Sequence, residues 1–310
     1  MVIVFGSVNL DLSVLVGQAP GAGETVLGGA LLSSGGGKGA NQAHAARCYG
    51  AEVKLFAAVG EDALAGPALA SLAEQGVGLD ALRRVPGLAT GTALITIDEH
   101  GENRIVVAPG ANEAACANDV TDADLAGAAV VVLQLEVPLA ESLQLARRAR
   151  AHGCRVILNA APMPRGVKLD LADIDVVIVN RIELHQLADA FGVPPGSPVT
   201  RSRALARVVD CDVLLTLGAH GATLAASNGS VHSLGGHAVS VLDSTGAGDT
   251  FAGVFAAACA EGQATQAALE AANAAAALCC GARGAQVAQP GRAAIDAFLA
   301  TAPGVRGEGA

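Results

Sequence analysis

Aromatic and basic residues are scarce in this chain. Its 310 residues include no Trp, one Tyr and six Phe, and 19 Lys and Arg stand against 29 Asp and Glu, for a formal net charge of −10. A nucleic-acid binder presents a basic stripe or a platform of aromatic rings for stacking, and this composition offers neither. The sequence therefore argues against nucleic acid as a partner.

Long apolar segments are also missing. The uncharged stretch 221–242 is interrupted by Gly, Ser, Asn and His, so it does not supply the ~20 mostly apolar residues that a membrane-spanning helix needs. The first residues, MVIVFG, show no basic region followed by an apolar one and a cleavage site. We therefore expect no membrane association and a cytoplasmic location.

The cysteine pattern indicates no structural role for sulfur. The seven cysteines are odd in number and have no C-x-x-C spacing, which argues against a disulfide framework and a zinc site. Hydrophobic residues make up 52% of the chain and charged residues 15%. Such a composition can bury a large core and predicts a folded protein of a reducing compartment.

Short apolar runs alternate with Ala- and Leu-rich segments of helical spacing. Candidate strands are 2–5, 53–57, 130–133, 155–158, 176–179 and 213–216. Candidate helices are 41–49, 65–74, 139–152 and 182–191, followed by Ala-rich windows at 251–260, 264–280 and 293–300. This alternation predicts an α/β fold, a layered sandwich with a central, mainly parallel sheet flanked by helices.

Two pairs of segments break this alternation. Segments 10–16 and 25–32 form one pair, and 92–97 and 103–107 form the other, with a hairpin-like connection across 98–102. We expect antiparallel strands here, in a small second sheet that acts as a lid drawn from about 10–33 and 92–107. No composition shift marks a boundary, so we expect a single domain over 1–300 and a frayed tail over 301–310.

The segment 243–253, DSTGAGDTFAG, has the character of an anion site. Backbone N–H groups at the start of a helix attract anions, and glycines at 246 and 248 let the backbone come close. Phosphate would repel the carboxylate of Asp249 unless that group is the base that takes a proton from an attacking hydroxyl. The alternative at this point is that Asp249 caps the helix.

A second glycine-rich segment, 34–43, is not a nucleotide loop of a known pattern. A Walker A motif would need glycine where Leu32 stands and Ser or Thr where Gly39 follows Lys38. Neither glycine-rich segment matches the dinucleotide-binding pattern.

Polar residues follow two candidate strands, in GSVNLD at 6–11 and NRIE at 180–183. Ligands of open α/β sheets bind at the carboxyl ends of the strands. Taken singly, however, Asn9 and Asp11 are typical of a turn, and Glu183 is typical of the first turn of a helix.

The motifs gain weight together. Segments 6–11, 20–25, 36–42 and 243–251 read GSVNLD, PGAGET, GGKGANQ and DSTGAGDTF, in that order. On these motifs the chain resembles the PfkB-type, or ribokinase, family of carbohydrate and nucleoside kinases over nearly all of residues 1–300. The resemblance implies ATP-dependent phosphorylation of the 5-hydroxyl of D-ribose. Asp249 would then be the base, and the N–H groups of Gly246, Ala247 and Gly248 would form the anion hole.

The same resemblance implies the other site residues. The residues that would bind the sugar are Asn9, Asp11, Gly37, Lys38, Asn41 and Glu136, together with Asp249. The nucleotide pocket would contain Thr216, Leu217, Gly218, Ala219, His220, Gly221 and Asn273, with Gly248 and Asn180. Asn180 and Glu183 would act on Mg²⁺ of the nucleotide through water, as suits an ion that keeps several waters.

The family also implies K⁺ beside the anion hole and a homodimer formed through the lid. The K⁺ ligands would be the carboxylate of Asp243 and the carbonyls of Thr245, Cys279, Ala282 and Gly284. One departure is Ala288, where relatives often have Ser, so the K⁺ site is expected to be one oxygen short.

Two alternatives remain open at this level. A sibling kinase of another sugar, deoxyribose or a nucleoside would share the anion hole and Asp249, although the GGKGANQ run favours ribose and the scarcity of aromatics disfavours a nucleobase. A catalytically silent sugar-binding protein is the other alternative, since fold alone does not fix function.

Overall fold

The computed structural model describes residues 1–100, 102–164 and 166–301. The strands in these ranges are β1 (Val2–Phe5), β2 (Asn9–Leu15), β3 (Leu31–Gly36), β4 (Val53–Phe56), β5 (Ala58–Gly60), β6 (Arg83–Val85), β7 (Gly91–Ile97), β8 (Asn103–Ala108), β9 (Val130–Leu133), β10 (Arg155–Asn159), β11 (Val176–Val179), β12 (Asp212–Thr216), β13 (Ala222–Ala225) and β14 (Val231–Leu234). The α-helices are α1 (Lys38–Tyr49), α2 (Ala65–Gln75), α3 (Asp122–Ala126), α4 (Leu139–Ala151), α5 (Arg181–Ala190), α6 (Pro198–Val209), α7 (Ala247–Ala260), α8 (Thr265–Cys279) and α9 (Arg292–Thr301).

The main sheet has eight strands in the order β14-β13-β12-β11-β10-β9-β1-β4. The six strands from β12 to β4 are parallel, and these are the six that the sequence predicts. The antiparallel strands β13 and β14, which extend one edge, were not predicted. The predicted α/β sandwich with a mainly parallel sheet is confirmed.

Strand β1 shows why the central strands are continuous apolar runs. Val2 and Val4 pack into a core that includes α1, α7 and α8, whereas Ile3 and Phe5 pack into a second core that includes α4, α5 and α6. Successive side chains of a strand point to opposite faces, so a strand covered by helices on both faces must be apolar at every position.

The small sheet has four strands in the order β3-β2-β7-β8. The predicted antiparallel pairs are confirmed as β2 with β3 and β7 with β8, while β2 and β7 run parallel. The predicted strand 25–32 is wrong in its bounds, because the strand is β3 at Leu31–Gly36. Its glycines are needed for close packing, since a Cβ on Gly35 would lie 2.8 Å from the carbonyl oxygen of Ala68 in α2.

Helix ends agree with the predictions to within four residues, the largest difference being the start of α7, but the short helix α3 and the helix α6 were missed. The signal for α6 was present, because Ser197 caps this helix and Pro198 occupies its first turn. The predicted frayed tail falls outside the described residues except for Thr301, the last residue of α9. No helix in the described ranges is long and apolar enough to cross a bilayer.

Candidate active site

The parallel strands bring their carboxyl ends to one edge of the main sheet. Residues 6–9 follow β1, Gln134 and Glu136 follow β9, and Asn180 follows β11. Hydrogen bonds described below bring the first two groups together around α1, although they are far apart in sequence.

Helix α7 begins at this edge with a left-handed glycine. Gly246 has φ 76°, and a Cβ there would lie 2.9 Å from Cβ of Ala285, so both conformation and space require glycine. In the described part of the chain the backbone N–H groups of Gly246 and Gly248 have no acceptor, whereas that of Ala247 donates to the carbonyl oxygen of Ser244 at 3.3 Å. Two of the three predicted anion-hole donors are therefore unengaged at a helix N-terminus, where negative charge is stabilised.

Asp249 lies in the first turn of α7 and is buried, with 6% of its surface exposed. Its oxygens accept hydrogen bonds from another helix: Asn41 Nδ2 donates to Oδ2 and Gln42 Nε2 donates to Oδ1, each at 3.0 Å. The alternative that Asp249 caps its own helix is wrong, because Gly246 is the N-cap residue and α7 has no side-chain cap.

The sugar-side residues gather around β1, β2 and α1. Ser7 Oγ donates to Glu136 Oε2 at 2.6 Å, and the backbone N–H of Lys38 donates to the same oxygen at 3.0 Å. A Cβ on Gly36 would stand 2.2 Å from Oδ2 of Asp11, so the glycine makes room for that carboxylate. Gly37 has φ 87°, and a Cβ there would meet the backbone N of Asn9 at 2.9 Å.

Charges are concentrated in this corner. Burial raises the pKa of Asp11 to about 7, and the nearby carboxylates of Glu136 and Asp249 add to the effect. The charge of Asp249 raises the pKa of the Lys38 ammonium, with further contributions from Glu136 and Glu183 that together outweigh its burial. Lys38 thus stays charged among three carboxylates.

Asn9 is held by a residue that the sequence analysis missed. Asn112 Nδ2 donates to Asn9 Oδ1 at 2.7 Å, while Asn112 Oδ1 accepts from the backbone N–H of Val8 at 2.9 Å. Asn112 lies in a short 3-10 helix, Gly110–Ala114, and nothing in the local sequence singled it out.

Asn180 and Glu183 form a capping box at the start of α5. Asn180 Oδ1 accepts from the backbone N–H groups of Ile182 and Glu183, and Glu183 Oε2 accepts from that of Asn180 at 2.8 Å. Burial raises the pKa of Glu183, although the Asn180 hydrogen bond and the charge of Lys38 oppose this. The first-turn helical role considered from the sequence is therefore present, and Oε1 of Glu183 has no hydrogen-bond donor in the described ranges.

A cavity of about 530 Å³ adjoins the start of α7 and contains most of the predicted nucleotide residues. Its lining includes Thr216, Gly218, Ala219, Gly221, Gly248 and Asn273. Three predicted residues are not in the lining: Leu217 packs against the second hydrophobic core, His220 is exposed, and Asn180 caps α5 outside the cavity. The sequence missed the contribution of residues 236–239, Val241 and Phe251 to the cavity wall.

Among the predicted cation ligands, Asp243 is in hydrogen-bond contact with Thr245 and Gly284. Asp243 accepts hydrogen bonds from the backbone N–H groups of Thr245 at 2.9 Å and Gly284 at 3.0 Å. Burial alone would raise the pKa of Asp243, but a hydrogen bond from the Thr245 side chain, these two backbone hydrogen bonds and the charge of Arg283 outweigh it and hold the pKa below its usual range. The loop that carries Ala282, Gly284 and Ala288 is also linked to Asp249 through Asn41, because Gln286 Nε2 donates to Asn41 Oδ1 at 3.1 Å and Asn41 donates to Asp249.

The described residues contain no group of three or more His, Cys, Asp or Glu side chains placed to hold a metal ion. Other site residues missed from the sequence are Ser7, Gln42, Gln134 and Gln286. Ser7 and Gln42 lay within quoted motifs, and Gln134 had a signal as a polar residue directly after a buried strand. Gln286 had no such signal.

Known proteins match this chain over almost its whole length. Residues 1–292 match the family model of the pfkB family carbohydrate kinases. Ribokinase of Bacillus subtilis is 35% identical over 305 residues, which cover 96% of this chain and 99% of that protein. A deoxyribokinase of Salmonella typhimurium is 33% identical over 262 residues, which cover 82% of this chain and 84% of that protein.

A solved structure gives the same result. The structure of Arabidopsis thaliana ribokinase complexed with ribose and ATP has a TM-score of 0.85 to this chain at 32% identity, and the match covers 96% of this chain and 98% of that one. The family resemblance predicted from the motifs is confirmed, and the chain belongs to the pfkB family of carbohydrate kinases.

Proposed function

We propose that this protein transfers the γ-phosphoryl group of ATP to the 5-hydroxyl of D-ribose, giving D-ribose 5-phosphate and ADP. The observation that carries the proposal is the position of Asp249. This buried carboxylate lies one residue from the unengaged N–H of Gly248 and in hydrogen-bond contact with Asn41, so that it joins the sugar side to the anion hole. The names of relatives, two of them ribokinases, support ribose as the substrate.

In this proposal the base acts on the attacking hydroxyl, and the anion hole acts on the transferred phosphoryl group. Asp249 accepts the proton of the 5-hydroxyl as that oxygen attacks phosphorus, which makes the oxygen a stronger nucleophile. The N–H groups of Gly246 and Gly248 donate hydrogen bonds to the oxygens of the phosphoryl group during its transfer, and the dipole of α7 stabilises the negative charge of that group. The positive charge of the Lys38 ammonium interacts with the negative charge of Asp249 and offsets part of the negative charge of the site.

The sugar is held by side chains that pair with hydroxyl groups. Asn9, Asp11 and Glu136 offer amide and carboxylate oxygens within one corner, and such groups pair with several hydroxyls of a polyol at once. Asn41 has one amide hydrogen beyond the bond to Asp249. We assign Gly37 and Lys38 to the same site, because α1 begins there and its first turn contacts Glu136.

The nucleotide lies in the cavity beside α7 in this proposal, with its phosphates toward Gly248. Asn180 and Glu183 fit an indirect role toward Mg²⁺, because Oε1 of Glu183 is left without a donor in the described ranges and can hold a water of the ion. Bound Mg²⁺ supplies positive charge to the phosphate oxygens of ATP.

A monovalent cation, K⁺, fits the donor set beside the anion hole. The carboxylate of Asp243 stays ionised, and the remaining donors are backbone carbonyls, which are hard oxygen ligands. Ala288 contributes only a methyl group, so we propose that K⁺ activates the enzyme at a raised half-maximal concentration.

We propose that residues 1–300 act as one catalytic unit with the small sheet as its lid, and that two copies pair through this sheet. Its edge strand β8 is exposed along its whole length, and Leu94, Ile105 and Val106 expose more than half of their surface. Apolar sheet edges of this kind are pairing surfaces. We place the protein in the cytoplasm, where ATP is available.

The first experiment is a coupled ADP-release assay with MgATP and K⁺. It compares D-ribose with 2-deoxyribose, fructose, adenosine and a blank without sugar. Turnover that depends on ribose is the expected result. Turnover with another acceptor but not with ribose would show that ribose is not the substrate. One relative is a deoxyribokinase, so 2-deoxyribose is the first alternative. Sugar binding without turnover on any acceptor would favour a silent binding protein.

Sedimentation analysis tests the dimer. We expect a dimer for the wild type, a monomer for Val106→Glu in β8, and a dimer for the control Val208→Glu, which places the same charge at an exposed valine of α6. A monomeric wild type at all concentrations would refute the pairing.

A further inference from the structure

Two fully buried glutamines form a chain that ends on Asp249. Gln134 Nε2 donates to Gln42 Oε1 at 2.8 Å, and Gln42 Nε2 donates to Asp249 Oδ1 at 3.0 Å. Neither glutamine has any exposed surface. They are therefore out of reach of a sugar or a nucleotide, and any influence they have on the reaction passes through Asp249.

The direction of this chain is fixed by the carboxylate. An ionised carboxylate only accepts hydrogen bonds, so Gln42 must turn its NH₂ group toward Asp249 and its carbonyl oxygen away. That oxygen in turn requires the NH₂ group of Gln134. The consequence is visible in Gln134, whose Oε1 has no hydrogen-bond partner in the described ranges.

The unpartnered Oε1 of Gln134 lowers the stability of the folded protein, because a buried acceptor without a donor is unfavourable. Turning the Gln134 amide over would point two carbonyl oxygens at each other, so Gln134 keeps one oxygen unpaired instead. Glycine at position 6 leaves room for the oxygen Oε1 of Gln134, because a Cβ on Gly6 would lie 1.7 Å from it. Apolar side chains at 42 and 134 would avoid the cost, which indicates that the hydrogen bond to Asp249 is the purpose of the pair.

The other oxygen of Asp249 is held in a similar way. Asn41 Nδ2 donates to Oδ2, and Gln286 Nε2 donates to Asn41 Oδ1 at 3.1 Å. Each carboxylate oxygen thus has one amide donor that is itself held by a second amide. Rotation of the carboxylate would break both hydrogen bonds, so the remaining lone pairs of Asp249 point in a fixed direction.

We propose that Gln42, held by Gln134, is a positioning residue for the base. It fixes the orientation of the Asp249 carboxylate toward the sugar hydroxyl. The part about the hydroxyl rests on the proposed function. The part about orientation concerns Asp249 in the free protein and is measurable without turnover.

The test compares Gln42→Met and Gln134→Met with Gln289→Met. Gln289 is the matched control, because it is also a buried glutamine bonded to α1, through the carbonyl oxygen of Asn41 at 3.0 Å, but has no contact with Asp249. Three quantities are measured: kcat and KM for ribose, the thermal midpoint, and the ¹³C chemical shift of the Asp249 carboxyl at a fixed pH. The Asp249 signal is assigned with Asp249→Asn.

Gln42→Met is expected to lower kcat roughly 10- to 100-fold with KM for ribose nearly unchanged, because a misdirected base loses the attack geometry and not the binding. The ¹³C chemical shift of the Asp249 carboxyl changes in the free protein, because one of its oxygens loses its hydrogen-bond donor. Gln134→Met shows the same changes more weakly, and Gln289→Met leaves this chemical shift unchanged.

Equal losses of kcat in Gln42→Met and Gln289→Met, with the chemical shift of the Asp249 carboxyl unchanged, would overturn the proposal and leave Gln42 a structural residue. If Gln42→Met does not fold, the same criteria apply to Gln134→Met. If the wild type phosphorylates no sugar but the chemical shift of Asp249 changes in the variants, the proposed function is refuted while the positioning of Asp249 stands.

Discussion

The carbonyl oxygen of Gln42 lies against the α-carbon of Gly253, so close that a Cβ on this glycine would stand only 2.4 Å from that oxygen. Helices α1 and α7 touch backbone to backbone at this point, and the same contact brings Asn41 and Gln42 within hydrogen-bond distance of Asp249. The active-site geometry therefore depends on a glycine that carries no chemistry.

Gly253→Ala is expected to destabilise the fold by about 1–3 kcal/mol, because α1 and α7 must separate to admit the methyl group. It should also lower kcat, since Gln42 and Asn41 withdraw from Asp249. Denaturant unfolding and the ADP-release assay measure the two effects. The control is Gly66→Ala in α2, where a Cβ meets nothing within 4 Å and stability should hold or rise. Equal stability of the two variants would contradict the close contact.

Asp249→Ala is expected to reduce kcat by about 10²–10⁴-fold while ribose still binds, because the variant loses the base and keeps most of the sugar contacts. ADP release gives the rate and calorimetry gives the affinity. The control Asp296→Ala removes an exposed aspartate of α9 and should behave as wild type. Near-normal turnover in Asp249→Ala would refute the role of Asp249 as the base.

The stability of the sugar-free protein should depend on pH through Asp11. Its pKa is raised from 3.8 to about 7 by burial and by Glu136 and Asp249. At pH below 3.8 the carboxyl is neutral in both states. As the pH rises toward 7, only the folded state keeps the proton, so the contribution of Asp11 to the free energy of unfolding falls, and above 7 the loss is constant.

Asp11→Asn removes this loss. Relative to wild type, the variant should gain stability between about pH 4 and pH 7 and then keep a constant advantage, as measured by denaturant unfolding across pH. The control Asp296→Asn should follow the wild-type curve, because its carboxylate is exposed. Parallel curves for Asp11→Asn and wild type would contradict a raised pKa of Asp11.

Gly248→Ala is expected to leave the fold intact and damage the reaction. A Cβ at this helical position meets nothing within 4 Å, so the free energy of unfolding should change little. The methyl group would enter the cavity beside the N–H that we propose binds the phosphoryl group, so KM for ATP should rise or kcat fall several-fold. If the kinetic constants of Gly248→Ala equal those of the wild type, the phosphates of ATP do not bind beside Gly248.

Ala288→Ser is expected to lower the half-maximal K⁺ concentration several-fold by restoring an oxygen beside the cation loop. Initial rates over a K⁺ series, at constant ionic strength set with a bulky organic cation, measure this. Ala288→Val is the control, since it changes size without adding oxygen. If the wild type has the same initial rate in K⁺ as in Na⁺, the proposed K⁺ activation is wrong.

Local patterns in the sequence were enough to predict the main sheet. The runs at Val2–Phe5 and Val130–Leu133 are fully buried, and a strand covered on both faces has to be apolar throughout. The glycine-rich motifs were recognisable because Gly246 needs a positive φ and Gly37 needs both a positive φ and space. Requirements of this kind are met within a few residues, so one sequence displays them.

The small sheet and the edge of the main sheet were predicted less well. Strand β3 was placed too early, because its glycines favour close packing on α2 over local strand propensity. Strands β13 and β14 gave no pattern distinct from a loop. Their pairing with β12 follows from the position of the sheet edge, which local sequence does not encode.

By itself the sequence determined the fold class, the family and the identity of the candidate base, because strand patterns, glycine turns and an acid at a helix start are local properties. Only the tertiary structure decided how that base is held. Gln42, Gln134, Asn41 and Gln286 come from segments separated by up to 245 positions, and they meet at Asp249 because parallel strands end at one edge and Gly253 lets two helices touch. The direction of a hydrogen bond between such distant residues depends on their final packing, which no single segment specifies.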